Sequence, residues 1–402
     1  MNQQPRFIFV TCGYPPAKNA GAEKGIMRLA EALARRGFQV SVLTIQHTPN
    51  EPPTETSAAG VTIYRTLKPL RLGPLWGFTY RRQLAATLRS LQNTWDVVFC
   101  SQLYLHSDVA ALVAHERGKT AASLIVNSSA FGDFTKLLKE RNGQRILSTT
   151  IKHSALFVMT NRSTDEALLH GFQPSQLRRF RYMVPQLPTP TTKPSASNEV
   201  LYLGRLTAQK NVLGLIRSFE NYATHHRKLK LTIVGDGNEK AAVLKAIQES
   251  PANHRIKRYG WTDDPDSFYV RARAVVMFSR SEGLSNVMLE SLAHGKPLLI
   301  TDVSGAREAL DPEGVLPTVL PPAQPLQARG GYIFPVEDQA ALTAAFEHLE
   351  DDQQMDFLGQ EAQDRIRQDF LEEHCVKLFL EEIESVVSKS KFLSPHLRFP
   401  KT

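Results

Sequence analysis

The segment Ala274–Thr301, AVVMFSRSEGLSNVMLESLAHGKPLLIT, constrains the fold more than any other stretch of the chain. It opens on a β-branched apolar run, breaks over Ser279 to Ser285, and resumes with Val287, Leu289 and Leu292 at helical spacing. Gly295 stops that run and Pro297 to Ile300 is apolar again, so the pattern predicts strand, loop, short helix and strand. This is a βαβ unit.

Two carboxylates sit inside it. Glu282 lies in the loop, and Glu290 follows early in the helix. Ser285 and Asn286 are good helix caps, so the amides after them face the loop with the positive end of the helix dipole behind them, an arrangement suited to a nucleoside diphosphate. Glu290 offers two acceptor oxygens to paired donors such as the hydroxyls of a ribose, and Glu282 stands where the far end of that ligand would lie. An ordinary βαβ unit with two solvated glutamates would show the same spacing.

The second half of the chain repeats the alternation. Strand Val200 to Leu203 leads into GRLTAQKN, Gly204 to Asn211, and then a helix to about Ala223. Strand Leu231 to Val234 is followed by Gly235-Asp236-Gly237 and another helix, which argues for a doubly wound α/β domain. Arg205 can grip phosphate oxygens in a fork, with Lys210 as a point charge beside it. A surface Arg and Lys after any strand would look alike in isolation.

Taken with its frame, SEGLSNVMLESLAHGKPLLITDVSGAREAL closely resembles the donor-binding signature of family 4 glycosyltransferases. The signature runs E-x7-E with a glycine after the first Glu, then G-x-P-x-x-x-T-D. It falls on Glu282, Gly283, Glu290, Gly295, Pro297, Thr301 and Asp302. Gly204-Arg205-Leu206 with Lys210-Asn211 resembles the family's G-R-L-x-x-x-K-N. The resemblance implies the α/β GT-B architecture, two facing Rossmann-like doubly wound domains with a cleft between them. Residues 1–185 would form the acceptor-side domain and residues 198–375 the nucleotide-sugar domain, with a helix and tail over residues 376–402 crossing back to the first.

The implied activity is transfer of a sugar, with retention at the anomeric carbon, from a nucleoside diphosphate sugar to a glycan or lipid-linked acceptor. The implied setting is cell-surface polysaccharide or glycolipid synthesis. Glu282, Arg205 and Lys210 form the expected catalytic set. Gly204, Gly283, Leu284, Ser285, Asn286, Val287, Glu290 and Trp261 form the expected donor site, with Gly13 and Gly21 from the first domain. No metal or other cofactor is expected. The acids of YGWTDDPD, Tyr259 to Asp266, read as caps of the helix that starts near Pro265, and Trp261 as a neighbour of the nucleobase.

The N-terminal half departs from the family pattern. Strand Phe7 to Thr11, a turn at Cys12 to Pro16, a helix from about Ala22 to Arg36 and strand Phe38 to Thr44 give a βαβ opening. The family's G-G in the first loop has Ala22 as its second residue. A strict dinucleotide G-x-G-x-x-G is absent. Where many relatives carry a histidine beside the sugar, alignment of LIVNSS places Asn127, which can hydrogen-bond but cannot act as a base near neutral pH. Asp133 is an acceptor-side candidate whose plain alternative is a loop turn, and His106 is an alternative base. The family's hinge I-P-N-G-V-D is reduced to Val184-Pro185-Gln186. These departures keep a second reading open, a GT-B binding or scaffold protein without chemistry, and the fold alone also admits a nucleotide-sugar epimerase.

Composition narrows the partners. The formal net charge of +8 favours acidic ones, and neither a zinc-finger spacing nor an aromatic-rich basic sheet pattern points to nucleic acid. The three cysteines are far apart, which argues against a disulfide framework. No apolar run approaches the roughly 18 residues of a spanning helix, so the expected compartment is the cytoplasm. Two basic segments stand out, with Lys68, Arg71, Arg81, Arg82 and Arg89 around Trp76, Phe78 and Tyr80, and then Lys136, Lys139, Arg141 and Arg145. They read either as a peripheral contact with an anionic membrane or as a solvated basic face.

Overall fold

The structure, a computed structural model, describes residues 4–15, 21–70, 72–128, 132–188 and 192–387. Two compact units divide the chain, one made of residues 1–183 and 372–402 and the other of residues 184–371.

Unit 1 is built on a sheet of eight strands: β1 (Phe7–Val10), β2 (Val40–Ile45), β3 (Thr54–Thr56), β4 (Thr62–Leu67), β5 (Val97–Cys100), β6 (Thr120–Leu124), β7 (Ala155–Val158) and β8 (Leu177–Arg179). Their order is β3-β4-β2-β1-β5-β6-β7-β8, parallel except for the edge pair β3/β4. The strands β1, β5 and β7 are buried throughout, as a parallel sheet covered on both faces requires.

One aromatic cluster ties the C-terminal helix Glu372–Val387 to this sheet. Phe379 meets Phe7, Phe9, Phe99, Phe157 and Phe180, one ring from each of five strand or strand-edge positions, at centroid distances of 5.5–6.4 Å. Glu372 at the helix start pairs with Arg35 and Arg36 at 2.6 and 2.7 Å.

Unit 2 holds a seven-stranded sheet of β9 (Glu199–Leu203), β10 (Lys230–Val234), β11 (Ile256–Tyr259), β12 (Ala272–Met277), β13 (Leu298–Thr301), β14 (Leu326–Ala328) and β15 (Gly331–Phe334). The order β11-β10-β9-β12-β13-β15-β14 is doubly wound and parallel except for β14/β15. Strand order reverses between β9 and β12, so the loops leaving their carboxyl ends diverge and open a crevice there. The chain enters this unit beside the point where it leaves, since Val184 pairs with Leu371 as a parallel bridge and Val184 N–H donates to Phe370 O at 2.8 Å.

Two helices, Asp133–Lys139 and Gly143–His153, follow β6, separated where the chain doubles back at Gly143, at which a Cβ would stand 2.0 Å from Leu137 O. The C-terminal helix expected within residues 376–402 begins earlier, at Glu372, and is separated from the helix Asp352–Asp369 at the point of exit from unit 2. The proline-rich stretch after Leu310 contains the edge strand β14. β6 ends at Leu124, three residues before Asn127.

Candidate functional site

The segment Ala274–Thr301 folds as its pattern requires. β12 carries Ala272–Met277, the loop runs to Ser285, the helix spans Asn286–Ala293, and β13 follows. Ser285 caps the helix, its Oγ accepting from Met288 N–H at 3.4 Å, and Gly295 turns the chain out of the helix at a φ of 66°, a left-handed conformation that favours glycine. Thr301 Oγ1 donates to Ser279 O at 2.6 Å, which ties the end of β13 to the start of the loop. Gly305 is needed because a Cβ there would lie 2.3 Å from Gly283 O.

Opposite this loop, β9 delivers Gly204 and Arg205, and a short turn over Ala208–Lys210 leads into the helix Val212–His225. Three backbone-anchored bonds zip turn and loop together: Arg280 N–H to Gln209 O at 2.8 Å, Gln209 Nε2 to Ser281 O at 2.9 Å, and Arg280 Nη1 to Ala208 O at 2.5 Å. They bring Lys210 Nζ onto Glu282 Oε1, an ion pair whose side chains are 14% and 7% exposed. Ser279 Oγ donates to the same carboxylate oxygen at 2.9 Å. A buried carboxylate is thus compensated by one cation and one hydroxyl, which fixes its orientation.

Arg205 is placed differently. Its carbonyl accepts from Tyr202 Oη at 2.8 Å, while its side chain is exposed and has no hydrogen-bond or ion-pair partner among the described residues. Close glycine contacts shape the floor beside it. A Cβ on Gly235 would meet Gly204 O at 1.9 Å, and one on Gly237 would meet Leu206 O at 2.2 Å. The fixed backbone and the free guanidinium together leave a cation available to a ligand at the switch point.

Glu290 lies on the first turns of the helix, 8% exposed, and Tyr269 Oη donates to its Oε2 at 3.2 Å. The Tyr269 ring stacks on His294 at 4.9 Å, and His294 Nδ1 bonds Glu290 O at 2.8 Å, so ring and carboxylate are held by the same helix end. Sequence reasoning missed Tyr269. Its signal was faint, one tyrosine in the short helix Asp266–Arg271, facing inward only once that helix packs under β12.

The remaining expected residues fall as follows. Gly283, Leu284, Ser285, Asn286 and Val287 form the loop end and helix start, in contiguous backbone with Glu282. Trp261 is 51% exposed beyond the edge strand β11, its Nε1 donating to Asp263 at 3.2 Å, so β10 separates its strand from β9. Asp264 accepts from Ser267 N–H at 3.2 Å, but it stands one residue before Pro265, the N-cap of the helix Asp266–Arg271, which has no side-chain cap bond. Asp302 is held in a fork by Arg307 at 3.0 and 2.9 Å, a structural role for the end of the signature.

In unit 1, Gly13 follows β1 and Gly21 begins the helix Gly21–Arg35. Asn127 is buried beyond β6. Asp133 differs from the expected acceptor contact, since it is 1% exposed with Oδ1 accepting from Gln102 Nε2 and Oδ2 from Val126 N–H, both at 2.7 Å. Burial pushes its carboxyl up to about 6. His106 is 1% exposed, bonded to Tyr80 Oη at 3.1 Å and Gln102 O at 2.9 Å, and burial pushes its imidazole down to about 4. Both side chains brace the loops at the carboxyl ends of β5 and β6. Residues 129–131 of SSAFGDF, residues 189–191 of the linker, Pro16, Arg71 and the tail from 388 lie outside the described residues.

Comparison with known proteins places this geometry. The family described as "Glycosyl transferases group 1" matches residues 185–368, and the one described as "Glycosyl transferase 4-like domain" matches residues 20–182. An uncharacterised glycosyltransferase of Methanocaldococcus jannaschii is 24% identical over 330 residues, 77% of this chain and 83% of that one. Several further relatives are matched over only 21–33% of their own length. Among solved structures, sucrose-phosphate synthase of Thermosynechococcus elongatus superposes with a TM-score of 0.75 at 18% identity, covering 96% of this chain and all of that one. Anabaena HepE in complex with UDP-glucose gives 0.71 at 14% identity, covering 95% and 100%. The fold is therefore the GT-B pair of Rossmann-like units.

Proposed function

The chain belongs to the family 4 glycosyltransferases, and from that premise we propose that it transfers a sugar from a nucleoside diphosphate sugar to a glycan or lipid-linked acceptor, with retention at the anomeric carbon, in the synthesis of a surface polysaccharide or glycolipid. One observation carries the donor half of the reading. The free guanidinium of Arg205, the Lys210–Glu282 pair and the capped helix start at Ser285 emerge together at the switch point between β9 and β12. The HepE structure, which holds UDP-glucose, supports a nucleotide sugar as the ligand class.

In this reading the diphosphate lies against the amides from Gly283 to Val287, and Arg205 and Lys210 take up the charge that develops on it as the glycosidic bond breaks. Glu282, already fixed by Lys210 and Ser279, presents its other carboxylate oxygen to sugar hydroxyls. Glu290 receives the ribose. The departing phosphate accepts the proton of the attacking hydroxyl on the same face, so that no protein base is needed where Asn127 stands. Burial of His106 and the full engagement of Asp133 agree with this, since neither offers a free basic atom.

The test is product analysis. Purified protein is incubated with a panel of nucleotide sugars and saccharide acceptors, and the new linkage is read by NMR. Transfer with the donor's anomeric configuration is expected. An inverted linkage would refute retention, and release of an isomerised nucleotide sugar without transfer would identify an epimerase instead.

A further inference from the structure

The stretch singled out for its cations and aromatic residues is reorganised by the fold. Arg81 is bound in a fork to Asp108 at 2.7 and 2.6 Å, and Arg89 pairs with Glu116 at 3.0 Å, so neither faces a partner. Trp76 turns inward and stacks on Tyr80 at 5.2 Å. In the helix Pro74–Ser90, Tyr80, Leu84 and Leu88 are buried at spacing i, i+4 and i+8.

That packing leaves an opposite result outside. Leu70, Leu72, Leu75 and Phe78 are 50%, 64%, 49% and 62% exposed, four large apolar side chains within nine residues at the start of one helix. Four of the fourteen large hydrophobics that unit 1 and unit 2 expose among the described residues therefore fall on this single tip. Scattered exposed leucines need no explanation, whereas four large apolar side chains exposed within one short stretch mark a contact surface. On the same helix face, Arg82 follows Phe78 after one turn, exposed and without an ion-pair partner among the described residues.

The second basic segment stands beside it. Trp76 packs on the same hydrophobic cluster as Phe134 and Leu137, which anchors the helix Asp133–Lys139 next to the apolar tip. From that helix, the turn after it and the first turn of the helix Gly143–His153, Lys136, Lys139, Arg141 and Arg145 are exposed, again without an ion-pair partner among the described residues. Glu140 interposes one acid, and its carboxylate is engaged by Tyr104. The surface is an apolar wedge flanked by unneutralised cations.

We infer that this surface docks unit 1 on an anionic lipid bilayer, with Leu70, Leu72, Leu75 and Phe78 entering the acyl boundary and the flanking cations resting on headgroup phosphates. An apolar tip with a cationic rim is the distribution that an anionic bilayer surface binds, through buried apolar area and electrostatic attraction together. A second copy of the chain would set like charges against each other across a two-fold axis, which disfavours self-association through this face. The inference is independent of the transfer reading, since a soluble acceptor would leave it standing.

The experiment is co-sedimentation of the full chain with vesicles of phosphatidylcholine, with and without phosphatidylglycerol, at low and high salt. The variants are Leu72→Ser/Leu75→Ser/Phe78→Ser, whose residues are exposed, and Lys136→Glu/Arg145→Glu. The expected result is binding to the phosphatidylglycerol vesicles alone, weakened at least tenfold by high salt, by the charge reversal and by the apolar substitutions. No sedimentation at low salt would overturn the inference. Undiminished binding of the apolar variant would equally do so, by reducing the contact to charge adsorption. A dimer in solution that disappears with the apolar substitutions, together with no vesicle binding, would assign the face to a second copy.

Discussion

Lys210 and Glu282, contributed by separate crossovers of one sheet, meet as a largely buried ion pair whose carboxylate oxygen also accepts from Ser279 Oγ. Removing one member leaves the other charged and poorly solvated. Lys210→Met is expected to destabilise unit 2 by about 3 kcal/mol, the range for breaking a buried pair. The double variant Lys210→Met/Glu282→Gln should recover part of that loss, with a coupling of about 1–3 kcal/mol. Denaturant unfolding of the four proteins reads both quantities. Additive losses would mean that the pair carries no coupling.

Arg205 should separate binding from stability. Its guanidinium is exposed and makes no contact that the fold uses. Arg205→Ala is expected to leave the melting temperature in place while abolishing turnover. A fall in melting temperature equal to that of Lys210→Met would show that the side chain serves the fold instead.

Tyr269→Phe removes one hydrogen bond to Glu290 while keeping the ring stack on His294. The loss in stability should be about 1 kcal/mol. Because Glu290 is read as the ribose contact, KM for the donor should rise about tenfold, the factor that about 1.4 kcal/mol corresponds to. The value of kcat should stay near wild type. An unchanged KM would detach Glu290 from the nucleotide.

Asp133 gives a pH signature. Its carboxyl is pushed up to about 6 by burial, so the folded chain holds this proton more tightly than the unfolded chain does. The stabilisation linked to that proton is complete below about 4, the ordinary range, and is lost as pH rises through about 6. Asp133→Asn removes this term. Melting curves at steps across that window should show the variant gaining on the wild type as pH rises, and a constant difference would contradict the assignment.

The half of the candidate site proposed to hold the donor was legible because its pattern is local. Glu282, the helix cap Ser285, Glu290 and the turn at Gly295 occupy one βαβ crossover, whose periodicity fixes strand, loop and helix directly. Arg205 and Lys210 could be placed at a strand end for the same reason. What stayed hidden depended on tertiary packing. Nothing in sequence spacing told that Arg81 would be consumed by Asp108, that Trp76 would turn inward, or that Asp133 would be sealed by Gln102 and Val126. The leucines at 70, 72 and 75 carried no signal of their own, and only the burial of Tyr80, Leu84 and Leu88 settles which face of the helix points in. The break between the last two helices was hidden as well, because it marks a crossing between units and not a change in propensity.

Nucleotide titration tests the central claim most directly, because it isolates the donor site from the acceptor. Uridine, guanosine, adenosine and thymidine diphosphates are titrated calorimetrically into the wild type, Arg205→Ala and Glu290→Ala. The account predicts that at least one nucleoside diphosphate binds the wild type and that both variants weaken it at least tenfold. Absence of binding by all of them, or binding unchanged in both variants, would contradict the placement of a nucleotide-sugar site at the β9/β12 switch point and would favour a scaffold on this fold.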